Sequence, residues 1–378
     1  MPIYFDHNAT TPLDPRVLEA MQPYLSGPYG NPSSVHRYGR AARDAIEAAR
    51  LQVAALAGAQ PAEVVWTSGG TESNNLALKG VAEAGAPGRI LYGATEHPSV
   101  QETAESLRHR GRQVETIAID GQGLADWPAF EAQLARGPLC LAALMVANNE
   151  TGVIQDTVRA AALVHAHGGL LLTDAVQGAG KLPLEPFWSG GADLMSLSSH
   201  KLYGPKGIGA LLIRAGVELA PLLHGGGQER GLRGGTENVA AIVGFGAAVE
   251  MAQRELQQRS AQLLALRERL LAGLCALSGA SVFAERSPRL PNTVQFRLQG
   301  WEGEALLMAL DRKCIAVSSG SACSSGKGEP SHVLLGMGLP RDVAYGAIRV
   351  SLGKDNTEAE IDRFLAMLGE LRAAALAA

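Results

Sequence analysis

The sequence predicts an α/β protein: a large domain on a mostly parallel seven-stranded sheet, joined to a smaller α+β domain. Up to Arg214, short apolar runs alternate with stretches of helical character, as βαβ units do. Only ten residues, rich in Gly and Pro, separate the run ending at Leu197 from the one beginning at Ile208, too few for a helical crossover. Beyond Gly235 the alternation gives way to one long helical stretch and then a mixed region.

In chain order, the apolar runs predict strands at Glu63–Thr67, Arg89–Ala94, Gln113–Ala118, Leu139–Ala147, Gly169–Thr173, Ala192–Leu197 and Ile208–Arg214. Helical stretches such as Ser73–Ala84, Ser99–Arg110 and Asp156–His167 separate most of them. The short link before Ile208–Arg214 makes this the one antiparallel strand. Glu250–Leu274 spreads charges among leucines at helical spacing and reads as a connecting helix. Then follow a strand Thr293–Leu298, a helix near Glu302–Leu310, a strand Ile315–Ser318 and a C-terminal helix Thr357–Ala374. The expected division gives 13–255 to the large domain. Residues 1–12 and 256–378 form the small one, with a Ser/Gly-rich loop at about 318–331.

A chain of 378 residues can bury a large core. With 46% hydrophobic and 19% charged residues it has an ordinary globular composition. A net charge of −4 and the lack of a long basic run argue against a nucleic-acid partner. No apolar run is long enough to span a membrane, and the start lacks the basic flank and apolar stretch of a signal peptide. A cytoplasmic location is expected. The four cysteines form no C-x-x-C pair, so neither a disulfide framework nor a zinc site is expected. Cys140, Cys275 and Cys314 read as small core residues. Cys323 differs, because its Ser/Gly neighbourhood offers no large apolar residue to bury it.

Ligands of open α/β sheets bind beyond the carboxyl ends of the strands, and polar residues collect at five such ends here. Ser198-Ser199-His200-Lys201 follows Ala192–Leu197. Desolvation turns a lysine toward a nucleophilic amine, which can form a Schiff base with an aldehyde such as pyridoxal phosphate. Ser68-Gly69-Gly70-Thr71-Glu72 opens a helix, where glycines and first-turn N–H groups can hold a phosphate. It is neither a P-loop nor a dinucleotide fingerprint. His97 could stack on a flat cofactor and move protons. Asn148 and Asn149 offer directional hydrogen bonds. Asp174 ends a buried strand and needs a cationic partner, for which a protonated pyridine nitrogen would serve.

A turn, cap or salt bridge explains any one of these singly, whereas five together point to a pooled site. Arg349, within an apolar run, suits either bidentate recognition of a substrate carboxylate or a structural ion pair. The stretch His224–Asn238 is too polar for core, and His165 and His167 are read as structural.

With these motifs assembled, the chain closely resembles the cysteine desulfurases. These pyridoxal-phosphate enzymes of the class-V aminotransferase family supply sulfur for iron–sulfur clusters. It looks most like the branch serving nitrogen fixation and general cluster assembly. The matching segments include Tyr4–Pro12, Gly30–His36, Thr67–Glu72, Glu96-His97, Ala147–Glu150, Asp174–Gln177, Ser198–Gly207, Gly225–Glu229, Gly235–Asn238, Ser318–Cys323, Ser331–Leu334 and Arg349–Gly353, in one order along almost the whole chain.

The resemblance implies fold type I of the pyridoxal-phosphate transferases, with Lys201 as the Schiff-base lysine and His97 stacked on the ring. Asp174 would pair with the ring nitrogen and Gln177 with the ring hydroxyl. Gly70, Thr71, Ser198 and His200 would hold the phosphate, with Thr236 reaching it from the other subunit of a homodimer. Asn149 would lie between cofactor and substrate, Arg349 would bind the carboxylate of L-cysteine, and Cys323 would be the nucleophile that takes its sulfur. A sulfur-acceptor or iron–sulfur scaffold protein is the implied partner. The chain stops at Ala378, where cluster-assembly members often carry a longer docking tail. The alternatives are a selenocysteine lyase, another class-V aminotransferase-like enzyme, or a non-catalytic scaffold that keeps the fold.

Overall fold

The computed structural model describes residues 2–27, 29–85, 87–319 and 329–377. Cys323 lies outside them. The strands are β1 (Ile3–Tyr4), β2 (Val64–Thr67), β3 (Arg89–Gly93), β4 (Val114–Ile117), β5 (Leu139–Ala143), β6 (Leu170–Asp174), β7 (Leu194–Ser198), β8 (Gly209–Ile213), β9 (Ala280–Val282), β10 (Thr293–Leu298), β11 (Ile315–Ala316), β12 (Ser318–Ser319) and β13 (Ala347–Ser351). A seven-stranded sheet runs in the order β2-β8-β7-β6-β5-β3-β4. Its inner strands are near-continuous apolar runs because helices cover both faces.

β8 is antiparallel to both of its neighbours, as the short link before it requires. Its first residue, Gly209, pairs with Thr67 at the end of β2 and with Ser198 at the end of β7. The reversal therefore sets two strand ends side by side, 131 residues apart in the chain (198 minus 67). Only glycine permits this, since a Cβ at Gly209 would lie 2.6 Å from Gly69 Cα.

One face of the sheet packs on the helices Pro15–Ser26, Arg37–Ala57 and Val239–Ala276 through Met21, Ile46, Val53, Trp66, Phe245 and Val249. The other buries Leu76, Leu78, Val100, Leu141 and Leu211. Each such side chain contributes about 1.5–3 kcal/mol on burial. The long helix begins at Val239, well before the predicted Glu250, and is capped by the Asn238 side chain. Its first turns, Val239 to Val249, are apolar on all sides and rich in Ala and Gly, where a neighbouring helix approaches closely: a Cβ at Gly246 would lie 2.9 Å from Ala49 Cα. An all-round apolar stretch carries no helical periodicity to read.

The smaller region has a four-stranded antiparallel sheet, β12-β13-β10-β9, and a parallel pair, β1-β11. Phe5, Leu266, Phe296, Ile348, Val350 and Phe364 share its core. The predicted strand Ile315–Ser318 is two strands, β11 and β12, that join different sheets. The strand predicted as Leu139–Ala147 stops at Ala143.

Two cysteines correct the sequence reading. Cys140 is buried, but Cys275 and Cys314 are exposed. Cys275 lies on an outward stripe of the long helix, and Cys314 in a turn with φ of 59°. An apolar neighbourhood does not specify which way a side chain faces. The predicted structural histidines do bond locally: His165 Nε2 to Asp193 Oδ2 at 2.8 Å, His167 Nδ1 to Leu163 O at 2.9 Å.

Candidate active site

A cavity of about 440 Å³ opens beyond the carboxyl ends of the sheet strands. Gly70, Thr71, His97, Asn149 and Asp174 line it, as do Gln177, Ser198, His200, Lys201 and Arg349. Five strand ends thus meet at one hollow. Thr236 does not line it within this chain and is exposed. Ser318, five residues before Cys323 in the chain, does line it.

Lys201 sits in the tight turn Ser199–Lys201 directly after β7. Its Nζ donates to the carbonyls of Asn8 at 2.6 Å and Ala9 at 2.7 Å. The segment from Asn8 to Thr11 is held over that turn, since Thr11 N–H and hydroxyl both donate to His200 O.

Asp174 ends β6 and is buried. Asn74 Nδ2 donates to its Oδ2 at 2.8 Å and the N–H of Val176 to its Oδ1 at 2.9 Å. Among the described residues no cation forms an ion pair with it. Asn74 Nδ2 also donates to Ser99 Oγ at 2.9 Å, and Ser99 Oγ lies 2.8 Å from His97 Nδ1. Because Nδ1 also accepts the Ser99 N–H, the neutral ring carries its proton on Nε2. Burial pushes the His97 pKa down, while Asp174 pulls the other way. His97 is therefore both the cap of the helix Pro98–His109 and part of the cavity wall.

At the other end the helix Gly70–Glu83 points its amino terminus into the hollow. A side chain at Gly70 would run into Val176, whose methyl lies 2.7 Å from the Cβ position. The Thr71 and Ser198 hydroxyls, His200 and Lys206 surround an adjoining depression. Burial, and then Lys201 and Lys206, push the His200 pKa down to about 4, so the ring is neutral.

Arg349, on β13, both lines the cavity and forms an ion pair, uniting the two readings the sequence left open. Its Nη2 donates to Asp6 Oδ1 at 2.6 Å and its Nη1 to Asn149 O at 3.1 Å. Arg349 Nε and Asn149 Oδ1 are buried without hydrogen-bond partners. The two asparagines divide their work. Asn148 Oδ1 accepts the N–H groups of Glu150 and Thr151, making a turn, and Asn149 faces the cavity.

Sequence reasoning gave no role to Asp6, Asn8, Asn74 or Ser99, all of which line the cavity. Asp6 and Asn8 stand in the amino-terminal matching segment, the only sign of them. It also missed Lys181 and Glu96, both buried. Desolvation raises the Glu96 carboxyl to about 8, with Asp174 adding to the effect. The polar stretch His224–Asn238 holds one buried residue, Glu229. It takes both Nη groups of Arg50 at 2.8 Å and the N–H of Trp66 at 2.9 Å.

This arrangement defines a class: the aminotransferase class-V family matches residues 3–364, and the chain belongs to it. A cysteine desulfurase of Gluconacetobacter diazotrophicus is 45% identical over 368 residues, spanning 96% of this chain and 91% of that one. The cysteine desulfurase IscS of an Anaeromyxobacter strain is 45% identical over 376 residues, 98% of this chain and 92% of its own. A solved NifS-like protein superposes with a TM-score of 0.91 at 39% identity, covering 99% of this chain and 100% of the other. SspA in complex with cysteine gives 0.81 at 34% identity, covering 94% and 100%. Within the class-V family, the chain falls among the cysteine desulfurases.

Proposed function

We propose that the cavity binds pyridoxal phosphate and L-cysteine, and that the enzyme releases L-alanine while loading the sulfur onto Cys323. The observation that carries this reading is Asp174, a buried carboxylate on the cavity wall with no cation ion-paired to it among the described residues. A protonated pyridine nitrogen supplies that cation. The other end suits a phosphate, with a helix amino terminus, two hydroxyls and a glycine that lets the backbone approach. Gly70, Thr71, Ser198 and His200 would hold that phosphate, His97 and Gln177 the ring, and Lys201 the aldehyde carbon. When bound, pyridoxal phosphate supplies an electron sink that makes the Cα proton of an amino acid removable and weakens its bond to sulfur.

The chain's own residues do the rest. Arg349 and Asn149 orient the substrate carboxylate, and Asp6 holds the guanidinium in place until it arrives. Lys201 Nζ takes the Cα proton. The Cys323 thiolate attacks the substrate sulfur, so that a sulfur–sulfur bond forms as the Cβ–sulfur bond breaks; Cβ gains the proton given up by the substrate thiol, completing the alanine methyl, and Lys201 returns a proton to Cα. A thiolate is required, because the thiol is a poor nucleophile. Cys323 then hands its outer sulfur to an acceptor, for which an iron–sulfur scaffold protein is the reading the relatives favour.

Two further parts of the proposal concern assembly. Residues 13–255 act as the cofactor-holding unit, and 1–12 with 256–378 as the unit bearing Cys323. Thr236, exposed in one chain, completes the phosphate site of a second copy in a cytoplasmic homodimer. Among the described residues no helix is long and apolar enough to cross a membrane.

The test is to incubate the protein with pyridoxal phosphate and L-cysteine, then measure alanine and the mass of the peptide bearing Cys323. One added sulfur on Cys323, and no alanine from Cys323→Ala, is expected. Alanine production undiminished in Cys323→Ala would overturn the reading.

A further inference from the structure

We propose that Lys181 is a positioning residue for the ring end of the site: its Nζ holds the Gln177 amide so that an N–H, not the carbonyl, is presented to the cavity. Lys181 is buried, where lysine is seldom found unpaired. Among the described residues no carboxylate forms an ion pair with it. Its partners are neutral acceptors on one residue, Gln177 O at 3.1 Å and Gln177 Oε1 at 3.2 Å.

Gln177 is thereby fixed from two sides. Oε1 is taken by the Lys181 ammonium, and Nε2 donates to Asn8 O at 2.9 Å. The flipped amide would set Oε1 against a carbonyl and Nε2 against an ammonium, two repulsive contacts in place of two bonds. Nε2 has a second hydrogen, and Gln177 lines the cavity. The amide therefore offers a donor to an oxygen there. Asn8 O also accepts from Lys201 Nζ at 2.6 Å. Lys181, Gln177, Asn8 and Lys201 thus form one hydrogen-bonded chain under the ring site.

The surroundings make the Lys181 ammonium costly to keep. His7 from the amino-terminal segment, Lys201 and Tyr203 from the turn after β7, Arg259 from the long helix and Lys354 beyond β13 border its pocket. Burial, then Lys201 and Arg349, lower its pKa to about 7. His7 is itself held near 4 and stays neutral. A lysine retained there against desolvation and like charge points to a use for its donor.

The inference rests on the pyridoxal-phosphate reading. A donor at the ring oxygen lowers the pKa of the lysine-bound cofactor. The experiment titrates the yellow absorption of the loaded protein against pH in wild type, Lys181→Met, Gln177→Met and the double variant. Lys181→Met is expected to raise the midpoint by about one pH unit, and to add nothing in the Gln177→Met background. A midpoint unmoved in Lys181→Met, or an equal rise in both backgrounds, overturns the proposal. Should Lys181→Met not fold, Gln177→Met alone decides, since an unchanged midpoint there leaves no N–H to position. A wild type that stays colourless with pyridoxal phosphate overturns the cofactor reading itself. A yellow wild type with unmoved variants overturns only the role of Lys181.

Discussion

The two halves of the cavity are built by opposite means. Around Lys201, Asp174 and His97, the walls are the ends of β7, β6 and β3, strands paired within one sheet. Around Arg349, the walls come from far-separated segments: Arg349 meets Asp6 across 343 residues and Asn149 across 200. The first half is a platform of strand ends on which the Asp174 carboxylate is oriented by Asn74 and the Val176 N–H but left without an ion-pair partner among the described residues. The second is a clamp whose guanidinium, on the proposed reading, would exchange Asp6 for a substrate. Binding the cofactor and binding the amino acid should therefore be separable by mutation.

The sharpest separation is Cys323→Ala. It is expected to cut alanine release by about 10³-fold or more, while the yellow chromophore and its response to L-cysteine persist. A lost chromophore would mean that the two halves are not independent. Next comes Arg349→Lys, which keeps the charge but loses the bidentate fork. Steady-state kinetics should show kcat/KM lowered by about ten- to a hundredfold, equivalent to roughly 1.5–3 kcal/mol for a charge-assisted contact, with the absorption spectrum unchanged.

Asp6→Asn probes the clamp more gently. Removing the carboxylate that competes for Arg349 should lower KM by about threefold at constant kcat, a size typical of partly exposed ion pairs. A raised KM would instead make Asp6 an orienting group. The smallest effect tests the platform. Glu96 has its folded pKa raised to about 8 from 4.5. The folded protein thus keeps a proton that the unfolded chain releases over that window, and this stabilisation is full below pH 4.5 and lost as pH rises through 8. The melting temperature of wild type relative to Glu96→Gln should fall between pH 5 and 8. The histidines held near 4, His7 and His200, act alike in both proteins and cancel.

The platform was legible in the sequence because it is made of strand ends. A buried strand is a run of apolar residues, and a polar residue at its end stands out, as with Asp174 after Leu170–Thr173 or Lys201 after β7. The antiparallel β8 could be read from a short link alone. The clamp was only half legible. Arg349 was visible as a charge in an apolar run, but its partner Asp6 lies at the far end of the chain, and nothing local to either residue announces the pairing. Asn74 was hidden by a helix amino terminus that already explained its polarity. Nothing local to Lys181 marks it in the sequence, because its burial is set by Tyr203, Arg259 and Leu352, which pack around it from elsewhere. Cys275 and Cys314 failed for the converse reason, an apolar neighbourhood with the thiol turned outward.

The pairing of β1 with β11, and of Asp6 with Ser351, has a kinetic consequence. The carbonyls that receive Lys201 belong to residues 8 and 9, yet that segment is seated by strands more than 300 residues later. Contacts of such separation are the slowest to form in a folding chain. A ribosome must therefore have released nearly the whole protein before the Lys201 amine is properly seated. In a refolding experiment, helical signal should return first, and competence to take up cofactor last.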